Sequence, residues 1–79
     1  MRNLETLFCE LDKISKEGSS VVVKLDGERW GNLPSLPITV LIFGGRLSEQ
    51  ELFRIDSDDL IGAIQKGIDY YKTKTENLK

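Results

Sequence analysis

Ile38-Thr39-Val40-Leu41-Ile42-Phe43 is apolar at nearly every position, and the Gly44-Gly45 pair closes it. A strand with one wet face alternates apolar and polar side chains, and this one does not. The run therefore predicts a central strand over about 37–43, with apolar side chains on both of its faces. Whatever else this chain forms has to be arranged around that strand.

Two flanking segments carry weaker strand patterns. Val21-Val22-Val23-Lys24-Leu25 predicts a strand over about 20–25 with Val21, Val23 and Leu25 inward, and Asp26-Gly27 turns the chain after it. Leu52-Phe53-Arg54-Ile55 predicts a third strand over about 51–56, with Phe53 and Ile55 on one side and Leu52 and Arg54 on the other. Between the first two strands, Glu28 to Pro37 holds two prolines and a glycine and reads as a long loop. Gly44-Gly45 opens the turn between the second and third strands, and short connections favour antiparallel neighbours.

Helical spacing appears at both ends. Leu4, Leu7, Phe8, Leu11 and Ile14 recur at steps of three and four, which predicts an amphipathic helix over about 4–17, with Asn3 as its N-cap and Gly18 at its end. Leu60, Ile61, Ile64, Ile68 and Tyr71 form a second stripe, predicting a helix over about 58–74 whose start is capped from Asp56-Ser57-Asp58-Asp59. Residues 75–79 are expected to fray. Gly62 and Gly67 each cost roughly 1 kcal/mol in a helix interior, so close approach to the sheet or to a partner is expected to compensate.

Two one-sided helices and one sheet make an α+β two-layer sandwich, order α-β-β-β-α, with a three-stranded antiparallel sheet and both helices on one face. The uniformly aliphatic set Ile38, Val40 and Ile42 is expected to face the helices. That leaves Val22, Leu41, Phe43 and Leu52 on the open face, an apolar patch of a kind monomers rarely show. The competing expectation is that the loop around Trp30 folds back over it. With 79 residues in one domain the core is small, and such a core supplies roughly 3–5 kcal/mol without further support. A single cysteine and no histidine leave association as the remaining support.

Composition narrows function by exclusion. A net charge of −2 gives no field pointing to nucleic acid or a membrane surface, and no apolar run approaches a membrane span. With no signal-type or membrane-spanning apolar run a cytoplasmic location is expected by default, and the unpaired Cys9 fits a reducing compartment; size alone suggests a bacterial or mobile-element protein. Cys9 has Glu10 beside it and no histidine to activate it, and reads as a partly buried structural thiol. Asp56, Asp58 and Asp59 lack the calcium-loop spacing and read as helix-start residues, while Gly44-Gly45-Arg46 lacks any phosphate-loop pattern. No enzyme activity, cofactor or metal is expected.

What remains is binding. Trp30, Arg29, Arg46 and Arg54 are of the types enriched at interface hot spots, although Trp30 also suits the end of a small core. The leading expectation is a small protein–protein interaction module, an accessory or inhibitory subunit or a homodimer, acting through Val22, Leu41, Phe43 and Leu52 with the Trp30 loop and the arginines at the rim. The alternative is a small-ligand or nucleic-acid binding domain using Arg29, Arg46 and Arg54.

The order helix, strand, strand, strand, helix resembles that of double-stranded RNA-binding domains over nearly the whole chain. The resemblance implies their fold. Their second helix begins with lysines that reach phosphates, whereas Asp56-Ser57-Asp58-Asp59 stands here, and Glu28-Arg29-Trp30-Gly31-Asn32 departs from their Gly-Pro-x-His-like loop. Nucleic-acid binding is accordingly the weaker expectation.

Overall fold

The computed structural model describes residues 3–31, 33 and 35–76. The chain runs through α1 (Leu4–Lys16), β1 (Ser20–Leu25), a 3-10 turn (Gly27–Gly31), β2 (Ile38–Phe43), β3 (Leu52–Ser57) and α2 (Leu60–Thr75). The strands form one antiparallel sheet in the order β1-β2-β3. One helix layer packs on it: α1 touches β1 and α2, while α2 lies against β2 and β3. This is the two-layer α+β architecture expected from the patterning.

Helix ends follow side-chain chemistry. The Asn3 side chain accepts the Thr6 N–H at 2.8 Å, and the chain leaves α1 through Gly18 at φ 107°. Asp59 caps α2 by accepting the Gly62 N–H at 3.0 Å. That cap starts α2 two residues later than the expected residue 58, because β3 continues through Ser57. At the other end α2 runs through Thr75, which is buried and donates its hydroxyl to the Tyr71 carbonyl at 2.8 Å, so the expected fraying does not begin there. Glu76 continues α2 as a 3-10 residue, and 77–79 lie outside the described residues.

Register assigns every strand residue to a face. Val21-Ile42-Phe53 and Val23-Val40-Ile55 are rows on the helix side, and Ile38, Val40 and Ile42 are buried there as expected. Leu7, Leu11 and Ile14 of α1 and Ala63, Ile64, Ile68 and Tyr71 of α2 complete this core. Gly67 permits a close approach of the two layers. A Cβ on it would stand 3.1 Å from both Ile42 Cδ1 and Phe53 Cε2.

Four side chains depart from the sequence expectation. Leu25 has inward parity but is 65 % exposed, being the terminal β1 residue beyond the helix layer. Phe8 and Ile61 lie on the shoulders of their helical stripes and stay exposed, because each helix meets its neighbours over a narrower arc than its apolar residues span. Cys9 is exposed rather than partly buried. Leu47, unremarked in the sequence, is buried in the core from the β2–β3 connection.

Candidate protein-interaction face

The side of the sheet away from the helices carries three rows: Ser20-Phe43-Leu52, Val22-Leu41-Arg54 and Lys24-Thr39-Asp56. Side chains alternate along each strand, so these rows follow from the same register that buries Val40 and Ile42. The first two rows are mainly apolar. Val22 and Phe43 are each 40 % exposed and Leu52 is 53 % exposed, while Leu41, between its two neighbours, is partly buried. The four apolar residues singled out in the sequence thus lie next to one another, and the described residues of the β1–β2 loop leave them open.

The third row is closed by a polar clasp. Thr39 donates its hydroxyl to Asp56 Oδ1 at 2.6 Å, and Arg29 Nη1 lies 3.2 Å from Thr39 Oγ1, 3.3 Å from Asp56 Oδ1 and 3.0 Å from the Leu36 carbonyl. Arg54 Nε adds a 3.5 Å ion pair to Asp56 Oδ2. Together these hold the Asp56 carboxyl below its ordinary pKa: the Thr39 hydroxyl lowers it most, burial opposes with the next largest effect, and the Arg29 and Arg54 guanidiniums add to the lowering. The 3-10 turn therefore covers only the polar end of the face. Trp30, its next residue after Arg29, is 59 % exposed and does not close the core.

Arg46 is not brought to this face. Its guanidinium reaches Glu17 Oε1 at 3.2 Å and the Thr75 carbonyl at 3.4 Å, joining the end of α1 to the end of α2. Tyr71, buried, donates its hydroxyl to the same Glu17 oxygen at 2.5 Å. These two donors lower the Glu17 pKa, the tyrosine bond first. Burial, and secondly the Glu17 carboxylate, raises that of Tyr71. Beside this second clasp lies a groove of about 270 Å³ between the helices, where Lys72 also pairs with Glu10 at 3.0 Å. Sequence reasoning missed it. Tyr71 and Arg46 each carry a chemical handle, but the partners stand 54 and 29 residues from Glu17 and leave no periodic trace.

Three arginines assigned to one rim are thus divided, Arg29 and Arg54 on Asp56 and Arg46 on Glu17. The start of α2, where lysines would stand in a double-stranded RNA-binding domain, presents Asp58 and the capping Asp59. Among the described residues no group of three or more His, Cys, Asp or Glu is placed to hold a metal ion, and no helix is long and apolar enough to cross a membrane. No protein-family model matches this chain, and no curated protein or solved structure is significantly similar to it.

Proposed function

We propose that this chain is a protein–protein interaction module of the cytoplasm that binds, rather than catalyses, through the open face of its sheet. It acts as an accessory or inhibitory subunit of a larger protein or as a homodimer. The observation that carries this reading is the contiguity of Val22, Leu41, Phe43 and Leu52 across all three strands, with nothing among the described residues folded over them. Apolar area of that kind gains free energy only when something else removes it from water.

Size fixes what else must take part. Three strands about 4.8 Å apart and about 20 Å long offer a footprint of roughly 300 Å², short of the roughly 800 Å² per partner in a standard interface. The exposed Trp30 and the clasp beside it supply the rim. Arg29 and Arg54 already share Asp56, so they orient a partner rather than anchor a free anion. This weighs against the small-ligand and nucleic-acid alternative.

The test is sedimentation at tens of micromolar together with affinity capture, comparing the wild-type chain with Leu41→Lys and Trp30→Ala. Expected is an association that Leu41→Lys abolishes and Trp30→Ala weakens, with the far-ultraviolet spectrum unchanged. If the wild-type chain stays monomeric and captures the same proteins as Leu41→Lys, the reading is wrong.

A further inference from the structure

A second surface, separate from the open face, lies along the outer edge of β1. Its backbone polarity follows from one hydrogen bond. Asp26 N–H donates to the Pro37 carbonyl at 2.8 Å, continuing the β1–β2 register by one pair. In an antiparallel ladder a residue's N–H and C=O point to the same side and alternate along the strand. Residues 20, 22 and 24 therefore bond to β2, and Val21 and Val23 turn their N–H and C=O groups outward. Among the described residues nothing pairs with that edge.

Natural edge strands are blunted by prolines, bulges or charges. The other edge fits that rule, since the same alternation turns Arg54 and Asp56 outward on β3, where the two side chains are ion-paired. β1 has no proline or bulge, and Lys24 is its one charge. Below the edge, Phe8, Leu11, Val21 and Val23 line an open groove of about 410 Å³ between α1 and β1, with Asp12 at its rim held by Lys16 at 2.7 Å.

We infer that the β1 edge is a strand-addition site for an extended peptide segment of a partner protein, antiparallel to β1, with apolar side chains at alternate positions. Outward backbone groups are matched in full only by another extended backbone, and the groove receives apolar side chains from every second residue. On the opposite side of the added strand the neighbours are Val22 and Lys24, which suit a small apolar residue and an acid. A second copy of this chain is the poorer occupant. Joining two β1 edges sets strands about 4.8 Å apart, whereas the α1 helix riding on each needs about 8–10 Å from its counterpart.

The probe is a set of fluorescein-labelled peptides about ten residues long, with Val or Ile at every second position and Thr or Glu between. Anisotropy is read with plain peptide and with two N-methylated forms, one methylated on the Val/Ile amides and one on the Thr/Glu amides. Expected is binding of the plain peptide, a loss of roughly tenfold or more on methylating the Val/Ile amides, and a change within about twofold for the other set. Phe8→Glu should weaken binding by a similar factor, Leu41→Lys should leave it intact, and the Val21 and Val23 amides should exchange more slowly in the complex. No binding at millimolar peptide, or equal effects of the two methylation patterns, overturns the inference. So does a dimer that Phe8→Glu dissolves and Leu41→Lys does not, since that puts a second copy on the edge. Because the open face is tested by Leu41→Lys and this edge by Phe8→Glu, the two readings fail separately.

Discussion

On one side of the sheet Val40 and Ile42 are fully buried beneath the helix layer, and on the other Phe43, their neighbour in the same strand, keeps 40 % of its surface in water. Hydrophobicity does not distinguish them, since Phe43 is the larger apolar residue. What differs is the layer opposite: α2 reaches Ile42 through Gly67, while Arg29 reaches across the open face at its polar end. A three-stranded sheet with two helices has enough chain to cover one face only. The apolar residues on the second face keep much of their surface in water, and on the reading proposed above their use is association.

The largest expected effect breaks this contrast at its centre. Ile42→Ala should cost about 3 kcal/mol, the transfer term plus the cavity left beneath Gly67, whereas Phe43→Ala should cost less than about 1 kcal/mol. Urea denaturation of the two variants under one condition measures both. Equal losses would mean that the two faces are equally buried in solution.

A smaller effect sharpens how tightly the helix layer is seated. Gly67→Ala gains about 1 kcal/mol of helix propensity but forces a methyl against Ile42 and Phe53, and overpacking of that kind costs about 1–3 kcal/mol. The expected net result is a loss of about 1 kcal/mol, read by the same titration. A more stable variant would show that the layers can part without penalty.

The smallest effect concerns pH, and it separates the two clasps. Glu17 and Asp56 have folded pKa values below their ordinary ones, so each contributes stability that is present above the ordinary carboxylate range and disappears as pH falls through the lower folded value. Tyr71 is raised, so its contribution is present below its ordinary value near 10 and fades as pH climbs through the higher folded one. Glu17→Gln should therefore flatten the acid limb of the melting-temperature profile in part, because Asp56 still titrates there, and Tyr71→Phe should flatten the alkaline limb and, by removing the first donor to Glu17, part of the acid limb as well. An unchanged acid limb in Glu17→Gln would remove the clasp between the helix ends.

Much of the architecture was legible because it is written in short periods. The steps of three and four in residues 4–14 and 60–71 and the continuous run at 38–43 specify element type and order, and the choice of Ile38, Val40 and Ile42 as inward agrees with the register. A period says which way a side chain points, not how far the facing layer extends, and Leu25 and Phe8 were misread on that account. The contiguity of Val22, Leu41, Phe43 and Leu52 followed from alternation once the inward set was chosen. The polar clasps did not follow: Arg29 finds Asp56 and Glu17 finds Tyr71 through tertiary approach alone, and nothing local marks the pairs. The β1 edge was equally hidden, since which backbone groups it turns outward depends on the Asp26–Pro37 bond.

At the end of the sheet away from the 3-10 turn, Gly45 sits at φ +60° so close to the turn after α1 that a Cβ on it would fall 2.4 Å from the Ser19 nitrogen, and Ser19 in turn donates its hydroxyl to the Gly44 carbonyl at 2.8 Å. Two bends far apart along the polypeptide are therefore interlocked like dovetailed joints. Neither can be lengthened, swapped for a bulkier sequence or opened as a new pair of termini without prising the other apart, so chain splicing and reporter grafting belong at the opposite pole, beside the exposed Leu33.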